Sequence, residues 1–134
     1  MIIATTSKSR TVDVGSSGFL LCFYSTITKH LVSPSTEVPK AYGLLKSGKL
    51  AANDCLQAAR ELSQVREILS NISPNQVVWD ISNPDKLPPW GVNISPTITS
   101  LGNYFVTADG KDLFSELIEL LQFASESGES IEIS

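Results

Sequence analysis

The sequence predicts an α+β fold in one domain, with a small, mostly antiparallel sheet and about three helices packed on it. Three observations carry this expectation. Strand-like segments cluster at both ends of the chain, apolar residues recur at helical spacing in three stretches, and 134 residues is the length of one ordinary domain. A chain of that length buries roughly two-thirds of the surface that its unfolded form exposes, so it needs neither a disulfide nor a metal to hold together. Its composition, 42% hydrophobic and 18% charged, is that of a globular protein and not of a disordered one.

Residues 1–6, with Ile2 and Ile3, read as a strand, Ser7-Lys8-Ser9 as a turn, and Thr11-Val12-Asp13-Val14 as a second strand that closes a hairpin. Gly15-Ser16-Ser17-Gly18 interrupts that strand and offers a serine cap. Phe19, Leu20, Phe23, Ile27 and Leu31 then fall close to one helical face, which predicts a helix over about 17–31 ending near Ser33-Pro34. A polar connector over 34–39 leads to a short helix over 40–46, stopped by Ser47-Gly48. Next, Cys55, Ala58, Leu62, Val65 and Leu69 step by three and four, with Arg60, Glu61, Arg66 and Glu67 off that stripe. A helix over roughly 52–70 follows, and Asn71-Ile72-Ser73-Pro74 ends it.

Residues 76–81 form the strongest strand signal of the chain, and their continuous apolar character suits a central strand. The stretch 82–102 carries four of the seven prolines and is the least regular part, the kind of segment that often holds function. Residues 104–107 read as another strand. In the turn Ala108-Asp109-Gly110, Asp109 is placed to cap a last helix over 110–126, whose apolar face runs from Leu113 to Ala124 and which ends at Gly128. Ser130-Ile131-Glu132-Ile133 alternates and reads as a final edge strand.

Acidic residues outnumber basic ones by 14 to 10, for a net charge of −4 and a pI near 4.9. Nucleic-acid affinity rests on phosphate neutralisation by cations, so direct DNA or RNA binding is not expected. A basic protein partner would be attracted, mainly through a faster association rate. Cys22 and Cys55 lie in apolar helical patterns without metal-ligand spacing and read as free, buried thiols of a reducing compartment. The longest apolar run, 19–24, is far too short to cross a bilayer. Lys8 and Arg10 precede it, but Asp13 intervenes and no small-residue cleavage site follows. The expectation is a cytoplasmic protein that starts at Met1 and has no membrane partner.

Catalytic chemistry has few candidates. The one histidine, His30, sits at the end of the first predicted helix, where a charge–dipole contact accounts for it. No serine stands in a nucleophile elbow, and the cysteines face the core. Asp80, Asp85, Asp109 and Asp112 are scattered acids without metal-site spacing, and the glycine–serine turn at 15–18 lacks both the phosphate-loop lysine and the third glycine of a dinucleotide fingerprint. No cofactor or metal is expected. Trp90 stands out, because Pro88-Pro89-Trp90-Gly91 sets a large aromatic on a rigid segment, and tryptophan is enriched among interface hot spots. It could equally fold back over the core.

The block from Val78 to Phe114 resembles a known family. It contains Val78-Trp79-Asp80-Ile81, Pro88-Pro89-Trp90-Gly91, Asn93-Ile94-Ser95-Pro96, Ile98-Thr99-Ser100-Leu101, Asn103-Tyr104-Phe105-Val106-Thr107 and Asp109-Gly110-Lys111-Asp112-Leu113-Phe114. This block is similar to the immunity protein 70 family of bacterial polymorphic toxin systems, and the likeness extends more loosely to the first helix and to residues 46–50. The resemblance implies a cytoplasmic immunity protein, not an enzyme, that binds and neutralises the toxic C-terminal domain of a cognate secreted effector. Such effectors occur in contact-dependent growth inhibition loci, and many of their toxins are nucleases with basic clefts. Glu37, Asp85, Trp90 and Asn93 are the residues expected to face the partner. Two other readings stand beside this one. A small hydrolase would gather at least two of Asp80, Asp85, Asp109 and Asp112 in a pocket, and a regulatory module would form a homodimer or larger oligomer through the final edge strand, Ile131 and Ile133.

Overall fold

A computed structural model describes residues 2–6, 10–89, 91, 94–107 and 109–134. Two strands open the chain, β1 (Ile2–Thr6) and β2 (Thr11–Gly15), paired antiparallel as the predicted hairpin. The expected turn at Ser7-Lys8-Ser9 lies outside the described residues. Helix α1 (Ser17–His30) follows, with the Ser16 hydroxyl accepting the Phe19 N–H at 3.1 Å as the serine cap requires. The connector is more regular than expected, because Pro34 and Pro39 each start a helix: α2 (Pro34–Glu37) and α3 (Pro39–Ser47). Gly48 then turns left-handed, at a φ of 80°, and releases a two-residue strand, β3 (Lys49–Leu50), that the sequence did not announce. A 3-10 turn (Ala52–Asp54) enters α4 (Cys55–Leu69), α5 spans Leu113–Ser127, and β4 (Ile131–Ile133) closes the chain.

The sheet is antiparallel, in the order β2-β1-β4-β3. Thus the α+β class holds, with α1, α4 and α5 as its three long helices. The expected position of the last strand does not hold. β4 pairs with β1 on one side and β3 on the other, and Ile131 and Ile133 are buried, so β4 is an interior strand. The oligomer expected through its edge therefore loses its physical basis. Val12, Ala4 and Ile133 face the helices, whereas Thr11, Asp13, Ile3, Glu132 and Lys49 lie on the opposite, open face, as the twofold alternation of strands demands.

The core joins the two ends of the chain. Phe23 of α1 meets Phe105 at a centroid distance of 5.0 Å and Phe114 of α5 at 5.1 Å, both steeply tilted, an arrangement that aromatic quadrupoles favour. On α4 the predicted stripe of Cys55, Ala58, Leu62, Val65 and Leu69 is buried and packs against α5 and α3. Glu61, read as off that stripe, is also buried, at 6% exposure. Its Oε1 accepts the N–H groups of Lys40 and Ala41, each at 2.8 Å, and its Oε2 accepts from Gln57 at 2.7 Å. The carboxylate of α4 thus caps the N-terminus of α3, whose own Val38 has no side chain able to do so.

The last helix begins later than expected, and Asp109 does not cap it. Gly110 sits at a φ of 83°, incompatible with a right-handed helix, and Val106 bridges to Asp112 across the turn. Asp112 is the cap, its Oδ2 accepting the Ser115 N–H at 3.0 Å. Asp109 instead accepts the Thr107 hydroxyl and lies 3.7 Å from Lys111, and the Thr107 hydrogen bond holds its carboxyl below its ordinary pKa.

Candidate partner-binding surface

Residues 76–81, expected as a central strand, form none. Pro74–Gln76 is a 3-10 turn, and the segment beyond it runs irregularly along α1. The reason lies in its backbone partners. The Thr26 hydroxyl accepts the Val78 N–H at 3.1 Å and donates to the Val78 carbonyl at 3.2 Å, while Ser25 Oγ accepts the Ile81 N–H at 3.0 Å. Both hydroxyls are buried in α1, and they supply what a neighbouring strand would otherwise provide. The apolar run reflects packing on a helix. Two adjacent hydroxyl residues inside an apolar stretch of α1 were the signal available in the sequence, and it is legible only once a buried chain needs those bonds.

The same segment is tied down at two further points. His30 Nε2 lies 2.7 Å from the Gln76 carbonyl, which can only accept, so that nitrogen carries the proton. His30 stands in the last turn of α1, where the charge–dipole contact was expected, and it also anchors the loop. Trp79 packs over Gly18, where an added Cβ would stand 2.6 Å from Cη2 and 2.9 Å from Cζ2 of the indole. Gly18→Ala accordingly forces the ring and its loop outwards. A destabilisation of about 1–3 kcal/mol is expected, and chemical unfolding followed by tryptophan emission measures it. No loss would mean that the ring relaxes freely in place.

Held in this way, the loop builds a small cleft of about 80 Å³ lined by Pro74, Val77, Leu87, Pro88, Ile94 and Tyr104. Pro88 is buried, whereas Leu87 is 64% exposed at the rim. Asp85 stands exposed in the preceding turn. Glu37 is exposed at the end of α2, where its Oε2 accepts the Ser33 N–H at 3.1 Å. The two carboxylates share no hydrogen bond or ion pair. Trp90 and Asn93 lie outside the described residues.

The candidate catalytic groups are engaged separately. Asp80 accepts the Ser82 N–H at 2.9 Å, Asp109 closes its turn, Asp112 caps α5 and lies 3.5 Å from Arg66, and Asp85 faces solvent. Cys22 and Cys55 are buried, as expected, and burial pushes the Cys22 thiol up to about 12 and raises that of Cys55. Among the described residues, no three His, Cys, Asp or Glu side chains gather as a metal site would require, and no helix is long and apolar enough to cross a membrane. A family model described as Immunity protein 70 matches residues 5–133. No curated protein and no solved structure matches the chain.

Proposed function

The chain belongs to the Immunity protein 70 family, and on that premise we propose that it binds and neutralises the toxic C-terminal domain of a cognate secreted effector. The match across residues 5–133 is the observation that carries this reading. The setting is the cytoplasm of the producing cell, in a contact-dependent growth inhibition or similar system, and the toxin is a nuclease. A nuclease needs a basic cleft for its substrate, and a protein of net charge −4 complements such a cleft.

Growth rescue tests the reading. The C-terminal domain of the large secreted protein encoded beside this gene is expressed inducibly, with and without this chain. Restored growth together with a co-purifying complex supports immunity. A domain that is toxic, and that this chain neither binds nor rescues, removes the proposal.

Within this reading the partner-facing residues are Glu37, Asp85, Trp90 and Asn93. Exposed rim charges act on encounter more than on the lifetime of a complex. Glu37→Lys together with Asp85→Lys is expected to slow association several-fold at low salt and to flatten its ionic-strength dependence, with dissociation nearly unchanged. Stopped-flow mixing with the toxin domain measures both rates. An unchanged association rate would remove these two carboxylates from the steering surface.

A further inference from the structure

The sheet ends differently on its two sides. In β1 the N–H and C=O of Ile3 exchange hydrogen bonds with Ser134, at 2.9 and 3.0 Å, so Ile3 turns its backbone towards β4. Antiparallel strands alternate these directions residue by residue. With Ile3 opposite Asp13 and Ala4 opposite Val12, it is Val12 that bonds to β1, while the N–H and C=O of Thr11 and Asp13 point away from the sheet. Among the described residues, nothing bonds these outward groups. At the other side, the register of Lys49 with Glu132 likewise turns the Lys49 backbone outwards. There, however, Ser47 Oγ accepts the Lys49 N–H at 3.3 Å and lies 3.2 Å from its carbonyl. Among the described residues, Ser47 closes the edge of β3 and the edge of β2 is left open.

Charge on the open face points to what the open edge takes. Glu132 has Lys49 directly across from it, whereas Asp13 has Ile3. Among the described residues, the Oδ1 of Asp13 is shielded from solvent and meets no hydrogen-bond donor. A strand laid antiparallel on β2 sets a side chain opposite Asp13 on that same face, and a cation there would face the carboxylate and balance its charge. A second copy of this chain cannot supply it. Self-pairing brings Thr11 or another Asp13 to that position, and Arg10 alternates to the other face, where its guanidinium lies 4.9 Å from the centroid of Phe123.

From this we infer that the outer edge of β2 takes an extended basic segment of the toxin as a fifth strand, with a lysine or arginine facing Asp13. The inference deepens the proposed function and rests on it. Strand addition draws affinity from main-chain hydrogen bonds and specificity from the facing side chains. Both are present here, in the outward groups of Thr11 and Asp13 and in the Asp13 carboxylate.

Amide hydrogen exchange and two variants test it, using the toxin domain encoded beside this gene. In the free chain the Thr11 and Asp13 amides exchange rapidly and the Val12 amide slowly; in the complex the first two slow at least tenfold. Thr11→Pro removes an outward donor without touching a bond inside the sheet, since proline is tolerated at the start of an edge strand. Asp13→Lys keeps the backbone and reverses the charge. Each is expected to weaken toxin binding at least tenfold with circular dichroism unchanged. If wild-type chain binds and rescues while protection and both affinities stay unaltered, immunity stands and the β2 site is overturned. If wild-type chain neither binds nor rescues, the toxin reading falls and the site with it. A dimer in which the same amides are already protected assigns the edge to a second copy and also overturns the inference.

Discussion

Thr26→Val lowers the stability of the fold by about 3 kcal/mol, because it leaves a buried N–H and a buried C=O of Val78 without partners. The substitution keeps the shape of the side chain and removes only the hydroxyl, so no cavity contributes. Thr26 is fully buried and Val78 is 5% exposed, which denies both orphaned groups access to water. Urea unfolding should show a lower midpoint with an unchanged slope, and the melting temperature should fall by roughly 10 °C. Thr26→Ser retains the hydroxyl and should lose only about 1 kcal/mol, the worth of a buried methyl. If valine and serine prove equally mild, the hydroxyl does not hold the loop, and some other contact must position residues 77–89.

That experiment also bears on what a single sequence discloses. Helices α1, α4 and α5 were legible because their signals are local: Ser16 as a cap, the three-and-four stripe from Cys55 to Leu69, and Gly128 as a left-handed stop. The hairpin was legible for the same reason. Residues 76–81 read as a strand because continuous apolar character reports burial without saying what covers the segment, and here it is a helix bearing two hydroxyls. Asp109 and Asp112 both suit a cap, and the choice turned on the left-handed backbone of Gly110. β3 is too short to show any alternation, and without it β4 looks like an edge. Of the residues proposed to face the partner, Glu37 and Asp85 are exposed, whereas nothing in the sequence marks the edge at Thr11 and Asp13 as open. An edge is a property of strand order, which depends on contacts between the two ends of the chain.

Glu61 gives the second large effect, and its variants separate charge from hydrogen bonding. Glu61→Ala strips the N-terminus of α3 of the acceptor shared by the Lys40 and Ala41 N–H groups and leaves Gln57 without its partner. Ala41 is 2% exposed, so its N–H cannot simply turn to water. A loss of about 3 kcal/mol is expected, at the level of a buried charge-assisted pair broken from one side. Glu61→Gln keeps a carbonyl oxygen where Oε1 stands, and Gln57 can flip its amide to accept from the new N–H. It should therefore cost only about 1 kcal/mol, the difference between a charged acceptor and a neutral one at a helix N-terminus. Thermal unfolding of the two variants decides. Equal losses would mean that the negative charge matters and the acceptor geometry does not. The expected threefold spread would mean that α4 holds α3 by directed hydrogen bonds. Such bonds also explain how α3, whose preceding residue Val38 offers no cap, keeps its start fixed against α4.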